Sequence, residues 1–175
     1  MHSLPEHRPP PHRPTLLLVD DEEAILSALK RLLRRDGYEI LTATSGAQGL
    51  AVLAEHAVNV IVSDQRMPGM TGNDFLREAL RLYPNTVRIA LSGYTDLASI
   101  IGAVNEGAVC KFLTKPWDDQ LLRSHVAQAF EQSHLAAENA RLGEALRQAQ
   151  RQLAVAHQRL AQMACGEGPC ELTAP

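Results

Sequence analysis

The chain has 175 residues, 45% of them hydrophobic, with 17 basic and 20 acidic side chains and a formal charge of −3. That length suits one domain with an appendage, and that charge exerts no bulk pull toward nucleic acid. No apolar run reaches the length of a membrane span, and the opening MHSLPEHRPPPHRP lacks the apolar stretch of a secretory signal. The expectation is a soluble, cytoplasmic protein with neither a nucleic-acid nor a membrane partner.

Residues 1–14 hold five of the ten prolines, which predicts a disordered or extended tail. His2, His7 and His12 recur in it every five residues, a spacing that a solvated tail explains without a metal. From Thr15 the pattern changes. TLLLVD is a continuous apolar run, the mark of a strand buried on both faces. Ala24, Ile25, Ala28, Leu29, Leu32 and Leu33 then fall at helical spacing, and Gly37 stops the helix. YEILTA reads as strand two. Ser45 and Gln48 form a capping-box pattern ahead of a second helix carrying Leu50, Leu53 and Ala54.

The alternation continues with VNVIVSD as strand three and a third helix from Thr71 or Gly72, burying Phe75, Leu76, Ala79 and Leu80. TVRIALS is strand four. A fourth helix is expected from Thr95 to Gly107, with Asp96 at its positive end. AVCKFLT is strand five, with Cys110 expected in the core, and a fifth helix starts around Pro116 to Asp119. Aromatic residues make up only 4% of the chain, so the core must be aliphatic.

Strands alternating with helices imply an α/β fold, a doubly wound five-stranded parallel sheet covered on both faces. Right-handed crossovers favour the flavodoxin-like order 2-1-3-4-5. In such sheets ligands bind at the carboxyl ends of the strands, where the order reverses between strands one and three.

That rule gives the polar residues meaning. Strand one runs into Asp20 and Asp21, and strand three ends on Asp64. Three acids at one edge repel unless a positive group intervenes, and an oxygen-only set suits a hard divalent cation such as Mg²⁺. Helix capping would account for one of the paired acids but not for Asp64 beside them. Ser92 ends strand four as a hydroxyl donor, and Lys115 follows strand five as a point charge for an anion. Taken singly, these are a loop serine and a surface lysine; together with the acids they suggest a phosphoryl-binding site.

The set VDDEEAIL, SDQRMPGMTG, ALSGYTD and KFLTKPW resembles the receiver domain of two-component response regulators, the CheY-like domain, over about residues 15–130. The resemblance implies that Asp64 is the phosphoacceptor. It implies that Asp20, Asp21 and Asp64, with the backbone carbonyl of Arg66, hold Mg²⁺. Ser92 matches the switch hydroxyl and Phe112 the aromatic switch position, though a core phenylalanine in a strand fits the sequence equally well. Lys115 matches the phosphate-contacting lysine, with Lys115–Pro116 a cis peptide, and Gly93 leaves room beside the phosphoryl group. Arg66 and Tyr94 are positions that would tune the phosphoryl lifetime. The implied chemistry is phosphoryl transfer from a histidine kinase or phosphotransfer protein to Asp64, followed by a conformational response near Ser92 and Phe112.

Residues 131–164 carry no proline and read as a helical extension. With Asn139, Leu146, Leu153 and Leu160 at heptad position a, Leu142, Ala149, Ala156 and Met163 fall at d. This is the seam of a coiled coil, so a homodimer is expected, with Asn139 setting a parallel register. Gly143 and the alanines at d weaken that case, and a single amphipathic helix folding back on its own domain is the alternative. Residues 165–175 read as a flexible tail in which Cys165 and Cys170 flank GEGP, without a second ligand pair for a metal. No helix-turn-helix is recognisable, so the expected downstream target is a protein.

Two other functions fit less well. A Mg-dependent aspartyl-phosphate phosphohydrolase on a similar scaffold ordinarily carries Asp-x-Asp at strand one, where this chain has adjacent acids. A degenerate receiver serving only as a scaffold would not need the complete set of site residues.

Overall fold

The computed structural model describes residues 13–93, 102 and 104–165, with side chains described as far as residue 160. The proline-rich tail with its three histidines, Tyr94, the start of the expected fourth helix and the segment after Cys165 lie outside the described residues. Contacts divide the chain into two units, one up to His134 and one from Leu135.

The first unit contains β1 (Thr15–Val19), α1 (Glu23–Leu33), β2 (Glu39–Ala43), α2 (Gly46–Glu55), β3 (Val60–Asp64), α3 (Gly72–Leu82), β4 (Val87–Ser92) and β5 (Lys111–Thr114). The last described helix, α4 (Asp119–Cys165), begins in this unit and continues into the second. The five strands form one sheet in the order β2-β1-β3-β4-β5. Every pairing is parallel, as the alternating sequence pattern requires.

The apolar runs explain the two-sided burial. Side chains alternate across a strand, so β1 sends Leu16 and Leu18 to one face and Leu17 and Val19 to the other, all of them buried. The first set packs with Leu29, Val60, Val62, Ile89, Leu122 and Val126. The second packs with Ile61, Phe75, Leu76 and Ala79. Helix α1 turns Leu26, Leu29 and Leu33 inward, so Leu26 takes a core place while Ala24 stays exposed. At α2, Ser45 accepts the Gln48 N–H as the capping pattern predicts. The Gln48 side chain returns to the N–H of Thr44 rather than to that of Ser45.

Strand five differs from the expectation. It begins at Lys111, not Ala108, and Cys110 is exposed rather than in the core. Just before the strand, the buried Arg88 guanidinium donates to the carbonyls of Thr86, Gly107 and Ala108, and Ala108 and Val109 are the core residues of this segment. Phe112 is not a core residue either. β5 lies at the sheet edge, and Phe112 is 44% exposed.

In the second unit α4 carries the heptad leucines in the open. Leu142, Leu146, Leu153 and Leu160 are each more than half exposed. Among the described residues no helix is long and apolar enough to cross a membrane.

Candidate functional site

Register places the site. β1 pairs with β3 so that Val19 lies opposite Ser63, which sets Asp20 level with Asp64. Asp64 lies opposite Leu91 in β4, and Ser92 opposite Thr114 in β5. Parallel strands in this register deliver Asp20, Asp64, Ser92 and Lys115 to one edge of the sheet.

There, one ammonium serves two acids. The Nζ of Lys115 is 2.9 Å from Asp20 Oδ2 and 2.7 Å from Asp64 Oδ1. The other oxygen of each carboxylate accepts a backbone N–H. Asp20 Oδ1 takes that of Glu22 at 2.9 Å, and Asp64 Oδ2 takes that of Arg66 at 2.8 Å. Asp20 and Asp64 are both buried. Burial alone pulls the Lys115 pKa down, but the hydrogen bonds and charges of Asp64 and Asp20 outweigh it, so the lysine is held above its ordinary value. Capping does not account for Asp20, because Glu22 takes the N-cap position of α1 without a side-chain cap.

Two buried carboxylates against one ammonium leave an excess negative charge at this edge, and a second cation would neutralise it. The donors are all oxygens, which fits Mg²⁺ in kind, since that ion takes one or two carboxylates and keeps several waters. Asp21 stands exposed on the rim. Among the described residues no three acidic, histidine or cysteine side chains are grouped closely enough to form a metal cage.

Ser92 is fully buried, and its hydroxyl donates to the Gly93 carbonyl at 3.0 Å. The N–H of Lys115 donates to the Ser92 carbonyl at 2.7 Å, tying the two strand ends together. The Lys115–Pro116 peptide is cis, as the resemblance implies. Phe112 pairs across to Ala90 and projects outward.

Two residues at the site escaped the sequence reading. The buried Ser63 hydroxyl donates to the Asp64 carbonyl at 2.9 Å, and Gly72 packs directly on the Asp64–Gln65 backbone. A serine beside the acid and a glycine opening an amphipathic helix were the available signals, and each is too common to stand out.

Comparison with known proteins gives the family. The family model of the response regulator receiver domain matches residues 16–127. The hydrogenase transcriptional regulatory protein HoxA of Cupriavidus necator is 42% identical over 133 residues, which cover 76% of this chain and 27% of HoxA. The transcriptional regulatory protein GlrR of Escherichia coli K12 is 38% identical over 123 residues, 70% of this chain and 28% of GlrR. The chain therefore matches little more than a quarter of the length of these relatives. The signal receiver domain of an HD domain-containing protein from Pseudomonas fluorescens Pf-5 is 41% identical, with a TM-score of 0.68 over 70% of this chain and 98% of that one. By sequence match, strand order and the residues gathered at the strand tips, this chain belongs to the response regulator receiver domain family.

Proposed function

We propose that the chain is a signalling phosphoacceptor that takes a phosphoryl group on Asp64 from the phosphohistidine of a histidine kinase or phosphotransfer protein. The observation that carries this reading is the Asp64 carboxylate, held at the end of β3 by the Lys115 ammonium at 2.7 Å and the Arg66 N–H at 2.8 Å.

An ionised carboxylate is already a nucleophile and needs no general base. One Asp64 oxygen forms the new O–P bond as the N–P bond of the phosphohistidine breaks, and the imidazole leaves with the bonding electrons. Lys115 contacts the phosphoryl oxygens as a fixed positive charge. Receiver domains generally bind Mg²⁺ for phosphorylation; the resemblance assigns the ion to Asp20, Asp21 and Asp64 with the Arg66 carbonyl, of which Lys115 brings Asp20 and Asp64 together while Asp21 stands on the rim, and the ion would offset repulsion between the acid and the incoming phosphoryl group. Water attack on phosphorus later regenerates Asp64. Such domains are typically non-enzymatic, and the chain is read as a substrate of its kinase.

The response is a population shift. The Ser92 hydroxyl leaves the Gly93 carbonyl for a phosphoryl oxygen, and Phe112 moves from its exposed position toward the space vacated. Self-association through residues 131–164 places the exposed leucines of α4 in a seam between two copies. Cytoplasmic location accords with the source of the phosphoryl group.

Intact mass after incubation with acetyl phosphate and Mg²⁺ tests the reading. One phosphoryl group should add to the wild type and none to Asp64→Asn. Labelling of Asp20 or Asp21 instead, with turnover, would point to the phosphohydrolase alternative.

A further inference from the structure

Gly72 is the first residue of α3, after the Thr71 cap. Glycine disfavours a helix and is usually kept where φ is positive. In this structure positive φ occurs at Gly37, Gly69 and Gly107, not at Gly72, so conformation does not explain the residue. Space does. A Cβ built on Gly72 would lie 2.0 Å from the Asp64 carbonyl oxygen, 2.9 Å from the Asp64 carbonyl carbon and 2.8 Å from the Gln65 Cα. All three are backbone atoms and cannot rotate aside. At Gly46 and Gly49 the nearest atoms belong to the Met70 and Phe75 side chains, not to the main chain.

The same peptide is held from other sides. Its carbonyl accepts the Ser63 hydroxyl at 2.9 Å. Its N–H, that of Gln65, donates to the Leu91 carbonyl of β4 at 3.0 Å. The next carbonyl, that of Gln65, accepts the Gly72 N–H at 3.0 Å. Helix α3 thus closes onto the chain immediately after the acid, and the turn that brings the Arg66 N–H to Asp64 Oδ2 starts from this pinned peptide.

We propose that Gly72 and Ser63 are positioning residues for Asp64. They form a main-chain clamp that fixes where the carboxylate sits for in-line attack. The proposal deepens the phosphoacceptor reading and rests on it. Neither residue need touch the phosphoryl group. Displacing a nucleophile by about 1 Å can cost roughly 100-fold in rate, and a Cβ at position 72 forces a shift of that order.

Labelling by acetyl phosphate with Mg²⁺, followed over time by intact mass, separates positioning from folding. A structural defect lowers the fraction of molecules that label; a misplaced carboxylate lowers the rate constant in those that do. Wild type, Gly72→Ala, Ser63→Ala, Ser63→Thr and Gly49→Ala are compared, with melting temperature alongside. Gly72→Ala should lose at least tenfold in maximal labelling rate while the half-saturating donor concentration stays put. Ser63→Ala should slow several-fold, and Ser63→Thr, which keeps the hydroxyl, should recover. Gly49→Ala should lower the melting temperature yet label at the wild-type rate. A wild-type rate in Gly72→Ala, or an equal rate loss in Gly49→Ala, overturns the clamp. If Gly72→Ala does not fold, Ser63→Ala decides: a wild-type rate there overturns it too. No labelling of the wild type would instead overturn the phosphoacceptor reading, and the clamp with it.

Discussion

Lys115 reaches Asp64 at 2.7 Å from the far side of β4, and the same amine holds Asp20, 95 residues away in sequence, at 2.9 Å. One side chain therefore couples the ends of β1, β3 and β5. It also sets the electrostatics of the edge, since it neutralises only one of two buried acids.

Removing that amine should be costly. In Lys115→Met the two buried carboxylates lose the counter-charge they share. Lys115 keeps about a fifth of its side-chain exposure, so the loss in unfolding free energy should fall at the lower end of the roughly 3–5 kcal/mol seen when a buried pair is broken. Urea denaturation at neutral pH measures it, and an unchanged midpoint would contradict the bridge.

The bridge also has a pH signature. The folded-state pKa of Lys115 is raised above the ordinary lysine value of 10.5. A raised base contributes stability that is fully present below its unfolded pKa and is lost as pH climbs through the folded one. The stability gap between wild type and Lys115→Met should therefore stay flat from neutral pH to about 10.5 and shrink above it. Paired denaturation curves between pH 8 and 11 test this; a gap that widens with alkalinity would refute it.

The distal helix predicts its own assembly. Leu146 and Leu153 are 60% and 58% exposed and lie one heptad apart at position a. Wild type should sediment as a dimer, and Leu146→Ser with Leu153→Ser as a monomer of lower helicity. Asn139→Leu should keep association but allow mixed oligomers. A monomeric wild type at high micromolar concentration would remove the seam from the account.

Cys110 offers a test of the chain just before β5. It is exposed, so iodoacetamide should alkylate it in the folded protein, as peptide mapping would show. Arg88→Met leaves the carbonyls of Thr86, Gly107 and Ala108 without their donor and should cost about 1–3 kcal/mol. Protection of Cys110 until unfolding would mean that its thiol is buried after all.

Phe112 should separate acceptance from response. Being 44% exposed, it can be cut to alanine at a stability cost of about 1 kcal/mol. Labelling of Asp64 should persist in Phe112→Ala, while the change in hydrogen exchange at β5 on labelling should fade. Equal exchange changes in both proteins would take Phe112 out of the switch.

Local pattern carried most of the architecture. Continuous apolar runs such as TLLLV specified two-sided strands, 3.6-residue spacing specified helices, and their alternation left few sheet orders open. Asp20, Asp64, Ser92 and Lys115 were legible as candidate site residues because each ends or follows a strand of a sheet whose ligands sit at strand tips. Contacts between distant segments were not legible, because periodicity reports only which way a side chain points within its own element. Which two acids share the Lys115 amine depends on the register among β1, β3, β4 and β5. The fit of Gly72 over the Asp64 carbonyl depends on how closely α3 approaches the end of β3. That Leu113 is buried while Cys110 and Phe112 are exposed depends on what packs over each face of the edge strand, which is decided only when the elements assemble.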